Sequence, residues 1–165
     1  MSAVLSPSPS PSFDVADLAR AVSANESNDS LPCRLSAVQW ATLGAYLQPF
    51  PMWAGQALIT QGAQDRTVYL IESGTLSVHF EDTKGRVRLA IVGPGSVVGE
   101  GAFFSYRPRS ATVQAASAAR IWSLTPLRFT ELANRQPALA LELVMGLGAV
   151  VSRRLANRPK RIAVT

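Results

Sequence analysis

Between Trp53 and Thr125 the chain breaks into short β-prone runs separated by glycine or proline, and this punctuation is what most limits its architecture. The runs are 57–60, 67–72, 75–80, 86–92, 111–116 and 120–124. Gly62, Gly74, Lys84-Gly85 and Gly93-Pro94-Gly95 mark the turns. Ser73-Gly74 and Lys84-Gly85 are tight-turn signals between alternating strands, which favours an antiparallel roll over a parallel sheet.

Helical patterns flank the β region. Residues 35–47 carry apolar side chains at 35, 38, 43, 46 and 47, with Ser36 placed to cap; Pro49 and Pro51 end the helix. After the roll, Thr125 caps a helix with Pro126 at its first position, and Pro137 opens another that runs to about Asn157 before Pro159. The expected fold is mainly β with flanking helices: an antiparallel β-roll (double-stranded β-helix or jelly roll), one short N-terminal helix and C-terminal helices.

At 165 residues and 47% hydrophobic content the chain can bury a core as one domain. Residues 1–30 read as a flexible arm: SPSPSPS can bury nothing, 13–22 have weak helical spacing, and 23–30 are polar. The domain proper is 31–158, with the roll at about 51–125 and the helices at about 126–158; 159–165 form a basic tail. No apolar run is long enough to span a membrane, and residues 1–11 lack the basic-then-apolar order of a secretory signal. The single Cys33 forms no internal disulfide, in keeping with a cytoplasmic location. The net charge of +5 comes from 16 basic and 11 acidic residues, with Arg153, Arg154, Arg158, Lys160 and Arg161 crowding the C-terminus. Such a run serves nucleic acid, an acidic partner, or a solvated helix end whose cations complement the dipole.

Enzyme chemistry finds little to work with. One histidine, His79, and one cysteine supply neither a metal set nor a haem-ligand motif, and no nucleophile–base constellation is present. The expectation is a non-enzymatic protein without a metal.

Residues 97–113, VVGEGAFFSYRPRSATV, are different. Glu100 and Arg109 flank small residues whose backbone amides can point outward. Amides at a helix-like start favour an anion, and the arginine fork matches two phosphate oxygens. A carboxylate there makes sense only as acceptor for a hydroxyl on the same ligand.

Gly99-Glu100 and the run Pro108-Arg109-Ser110-Ala111-Thr112-Val113 resemble, without a gap, the phosphate-binding cassette of the cyclic-nucleotide-binding domain family of catabolite-activator-type regulators and kinase regulatory subunits. The resemblance extends through WAGQALITQG and VYLIESGTLSVHF, over roughly residues 50–130. Val98 stands where the family usually has an aromatic residue, and Gly101 where it has Leu or Ile. The resemblance implies that Arg109 clamps the cyclic phosphate with the amides of Gly101, Ala102 and Ser110. It implies that Glu100 accepts from the ribose 2′-hydroxyl, and it places Gly99 and Ala111 in the same site. The base would sit against the last helix, covered by Val151, Leu155 or Arg158. Cyclic AMP is the default ligand; cyclic GMP stays open, because the Ser110 hydroxyl can also contact guanine.

Apolar residues cover well over half the circumference of the last helix. Either the surplus face packs within the domain, or it forms a homodimer through Leu143, Leu147, Val150 and Val151, as the resemblance implies. Transcription factors of this family continue into a helix-turn-helix. Only seven residues follow Arg158 here, so no specific DNA binding is expected, and signalling runs through a separate downstream protein. The competing readings are a ligand-free dimeric interaction module and part of a transcription regulator lacking its DNA-reading domain.

Overall fold

The computed structural model describes residues 12–85 and 87–157. Residues 1–11, with all of the SPSPSPS tract but Ser12, lie outside the described residues, as do Arg158 and the tail 159–165. Among the described residues, eight strands form two antiparallel four-stranded sheets. The first contains β1 (Gln48–Met52), β8 (Ala119–Leu124), β3 (Val68–Ser73) and β6 (Val97–Val98), in that order. The second contains β2 (Ala57–Ile59), β7 (Thr112–Ala115), β4 (Leu76–Glu81) and β5 (Val87–Val92). The helices are α1 (Val15–Ala24), α2 (Ala37–Gly44), α3 (Glu100–Ser105), α4 (Pro126–Arg135) and α5 (Pro137–Ala156). This is the expected mainly β roll with flanking helices.

Side-chain alternation explains the layering. Ile71 of β3 and Ile121 of β8 point between the sheets, where they meet Val78, Val113 and Ile59. Their neighbours Val68, Leu70, Trp122 and Leu124 point the other way, onto α1, α2, α4 and α5. The first sheet is therefore buried on both faces, which is why its two central strands read as near-continuous apolar runs.

Two strands were not expected. β1 contains Pro49 and Pro51, residues that cannot donate to a ladder; it is tolerated because β1 lies at a sheet edge and pairs only with β8. β6 has two residues, too few for a periodic signal. Helix α2 is shorter than expected, and it starts in a capping box between Ser36 and Gln39. It buries Trp40 and Leu43, whereas Val38 faces solvent.

The largest correction concerns residues 13–30, which are not a flexible arm. Asp14 caps α1, and α1 buries Leu18 and Val22 in the core shared with α2 and β3. Phe13 packs edge-on against Trp122 at 5.9 Å between ring centroids, beneath the Arg120 guanidinium at 4.0 Å. The polar stretch that reads as a linker bonds locally: Asn25 and Ser27 side chains accept from the backbone two residues on. Asn25 also donates to the Pro94 carbonyl at 2.9 Å and to Ser96 Oγ at 3.1 Å. Gly95, with φ +81°, has no Cβ to strike the Ala21 carbonyl behind it, which lets α1 approach.

A second correction concerns the apolar faces of α5. Leu143, Leu147 and Val150, expected at a subunit interface, are buried within their own chain. Exposed instead are Leu141, Met145 and Leu155.

Leu18→Ala should destabilise the protein by about 2–5 kcal/mol in urea unfolding, the cost of deleting a fully buried leucine. A flexible arm would give no change.

Candidate functional site

Strand β6 delivers the chain into the cassette at Gly99, which adopts φ +88°. A Cβ there would lie 2.5 Å from the Thr67 carbonyl oxygen and 2.8 Å from an Arg109 guanidinium nitrogen. Only glycine allows both groups so near. Helix α3 follows, with Glu100 fully buried in its first turn, Gly101 half-buried and Ala102 buried.

Arg109 is 2% exposed. Its guanidinium donates to the Gly99 carbonyl at 3.0 Å, the Thr67 carbonyl at 2.7 Å and Asp65 Oδ2 at 2.6 Å. Its backbone N–H donates to the Ala63 carbonyl, and its own carbonyl accepts from Gly62 N–H, each at 2.8 Å. Arg109 Nε is buried and has no acceptor among the described residues. Burial works to raise the Asp65 pKa, but the Arg109 side chain and the Thr67 backbone and hydroxyl donors outweigh it, so the carboxyl sits below the usual range.

A second guanidinium, Arg154 of α5, reaches the same cassette from the other side. It donates to Glu100 Oε1 at 2.5 Å, to the Val97 carbonyl at 2.7 Å and to Asp29 Oδ1 from two nitrogens at 3.1 Å. Burial opposes this charge, yet Glu100 and Asp29 prevail and hold its pKa above the ordinary value. Neighbouring Arg153 donates to the Ser30 carbonyl at 3.2 Å, so α5 also grips the segment joining α1 to α2.

Gly99, Glu100, Gly101, Ala102, Arg109, Ser110 and Ala111 thus lie in one cluster around α3 and the start of β7. Ser110 is exposed and Ala111 buried. Leu155 is 53% exposed on α5, immediately after Arg154, and Arg158 is outside the described residues. Sequence reasoning missed Asp65, Asp29 and Arg154. For Arg154 a signal existed: it continues the buried stripe of Leu143, Leu147 and Val150 by helical spacing. Asp65 and Asp29 carry no such mark.

Other chemistry is sparse. No group of three His, Cys, Asp or Glu residues able to hold a metal occurs among the described residues. His79 shares a 2.8 Å hydrogen bond with Ser77. The Cys33 thiol, pushed up to about 11 by burial and by Glu142, donates to the Glu142 carbonyl and is not poised as a nucleophile.

The family model described as the cyclic nucleotide-binding domain matches residues 52–136, and the chain belongs to that family. It is 35% identical over 102 residues to Glutaminase 2 of Bradyrhizobium diazoefficiens, covering 62% of this chain and 16% of that protein. It is 28% identical over 127 residues to the cAMP-activated global transcriptional regulator CRP of Escherichia coli O157:H7, covering 76% of this chain and 58% of that one. The chain thus spans less than two thirds of either relative. A cyclic nucleotide-binding domain from Methylobacillus flagellatus superposes with a TM-score of 0.75 at 20% identity, over 90% of this chain and 85% of that chain, and shares the fold.

The Asp65 pair predicts a pH dependence. A carboxyl whose folded pKa lies below its unfolded value of about 3.9 stabilises the fold above that pH and loses the contribution as pH falls through the folded pKa. The stability gap between the unaltered protein and Asp65→Asn should therefore be full at neutral pH and close in acid, as read by urea unfolding at a series of pH values.

Proposed function

We propose that this chain is a regulatory domain that binds a cyclic nucleotide, cyclic AMP in the first instance, and passes the event to its last helix. The observation that carries this reading is Arg109. It is an obligate cation, buried and paired with Asp65, and its Nε–H has no acceptor among the described residues. Leaving such a donor unmet in a buried site is costly, and a phosphate oxygen is the acceptor that meets it while offsetting the charge. The backbone amides of Gly101, Ala102 and Ser110 would supply further donors. Glu100 would take the 2′-hydroxyl while retaining Arg154, since a carboxylate accepts at several positions. The E. coli relative named as cAMP-activated supports cyclic AMP; cyclic GMP remains the alternative through Ser110.

Arg154 gives the site a route to α5, because a ligand on Glu100 changes what the α5 guanidinium shares. Leu155 and Arg158 would cover the base. One face of α5 has the spacing of a two-helix interface: exposed Leu141, Met145, Ser152 and Leu155, with half-buried Gly148 among them, are spaced alternately by four and three residues. We assign the homodimer to this face. Signal would pass to an unidentified protein rather than to specific DNA, in the cytoplasm and without catalysis. No described helix is long and apolar enough to cross a membrane.

A ligand-free dimeric scaffold is the second reading, favoured by the protein partners that Arg109 and Glu100 already have. Calorimetry separates the two. Cyclic AMP should bind the unaltered protein, and Arg109→Ala should weaken it by about 1.5–3 kcal/mol. Glu100→Ala should weaken cyclic AMP more than its 2′-deoxy analogue. No heat and no shift in melting would leave the scaffold.

Assembly has its own check. Leu141→Asp with Met145→Asp should convert a dimer to monomers in light scattering and leave the fold intact, because these side chains are exposed in the single chain. A monomeric unaltered protein would remove the seam.

A further inference from the structure

Arg66 lies between Asp65 and Thr67, two of the residues that hold Arg109, yet it points away from Arg109 toward the far end of α3. Its guanidinium donates to the Phe103 carbonyl at 2.8 Å and stacks on the Tyr106 ring at 3.6 Å, with the Phe103 ring at 5.8 Å. Arg66 Nε is buried without an acceptor, a cost that a neutral filler would not carry. Tyr106 is equally unusual. Among the described residues it is the one non-glycine with positive φ, at 60°, and it is 72% exposed. A bulky side chain is disfavoured in that conformation, where glycine is the common choice. An exposed ring fills no core there; what it does is cover the Arg66 guanidinium, a cation–π contact.

The two arginines divide α3 between them. Arg109 holds the Gly99 carbonyl at the N-terminal end, and Arg66 holds the Phe103 carbonyl near the C-terminal end. Both anchor to residues 62–67. Helix α3 has six residues and carries Glu100, Gly101 and Ala102. The Arg154–Glu100 pair and the buried Phe103 ring also hold so short a helix, and Arg109 and Arg66 fix its two ends.

We infer that Arg66, locked by Tyr106, is a positioning residue for the cassette, setting where α3 presents Glu100 and the 101–102 backbone relative to Arg109. Its consequence for affinity rests on the proposed nucleotide reading; its structural content does not.

The test uses the full chain and two variants, Arg66→Gln and Tyr106→Gly. The first readout needs no ligand. The Nε–H resonance of Arg109, assigned by its loss in Arg109→Lys, should shift in both variants, together with the amides of Gly101 and Ala102, whose hydrogen exchange should quicken. Tyr106→Gly relieves the positive φ, so its melting temperature should hold or rise while these signals still move. A residue that merely closes a turn would leave them in place. The second readout is affinity. Cyclic AMP should bind either variant about five- to tenfold more weakly, the scale of one cation–π contact and one hydrogen bond. Should Arg66→Gln fail to fold, Tyr106→Gly decides alone. Unmoved Arg109, Gly101 and Ala102 signals overturn the inference. Moved signals in a protein that binds no cyclic nucleotide uphold the clamp and remove the nucleotide reading instead.

Discussion

Everything in the cassette answers to the burial of the Arg109 charge. A guanidinium cannot shed its proton to escape a low dielectric, so its surroundings must supply fixed oxygens. They come from three separate places: Gly99 at the start of α3, Thr67 at the edge of β3, and Asp65 in the loop before it. That requirement makes Gly99 a glycine, since any side chain would enter the space between Thr67 and the guanidinium. It also sets the path of residues 62–67, which run beside Arg109 through paired backbone hydrogen bonds. Removing one partner of such a buried charge is far costlier than an exposed pair would suggest.

Arg154 repeats this logic across the domain. Its charge is balanced by Glu100 of the cassette and Asp29 of the segment between α1 and α2, so one side chain on α5 couples two regions distant in sequence. A ligand biases α5 only through differential contact with its alternative positions. The Glu100–Arg154 pair is where that difference would arise, because a hydroxyl on Glu100 must share the carboxylate with the helix. The exposed side chains Leu141, Met145 and Leu155 lie on the same helix, so the proposed ligand and the proposed assembly would act through one element.

What the sequence made legible followed from local chemistry. Glycine turns delimit strands wherever the chain must reverse, and Thr125-Pro126 and Ser36 start helices by satisfying their own orphan donors. The cassette residues stand together because they are contiguous. What escaped depended on partners far along the chain. Strand β1 exists because β8 accepts it, despite two prolines, and α1 exists because Leu18 and Val22 find a core that the polar segment after them hides. The two faces of α5 could not be told apart from apolar content alone, since both are rich in leucine; only the packing of Leu143 and Leu147 into the core shared with α4 and the first sheet, and the burial of Val150, separates them. Asp65 and Asp29 are short acidic residues in loops, indistinguishable by pattern from any solvated carboxylate.

On the proposed reading, a cyclic phosphate supplies the acceptor that Arg109 Nε lacks. The most direct measurement is the Nε–H resonance of Arg109 in the unaltered protein during titration with cyclic AMP, with linear AMP as control. Cyclic AMP should displace it far downfield, saturating with binding, the sign of a new charge-assisted hydrogen bond. A resonance that stays in place while cyclic AMP binds, or that never responds to any cyclic nucleotide, would contradict that reading.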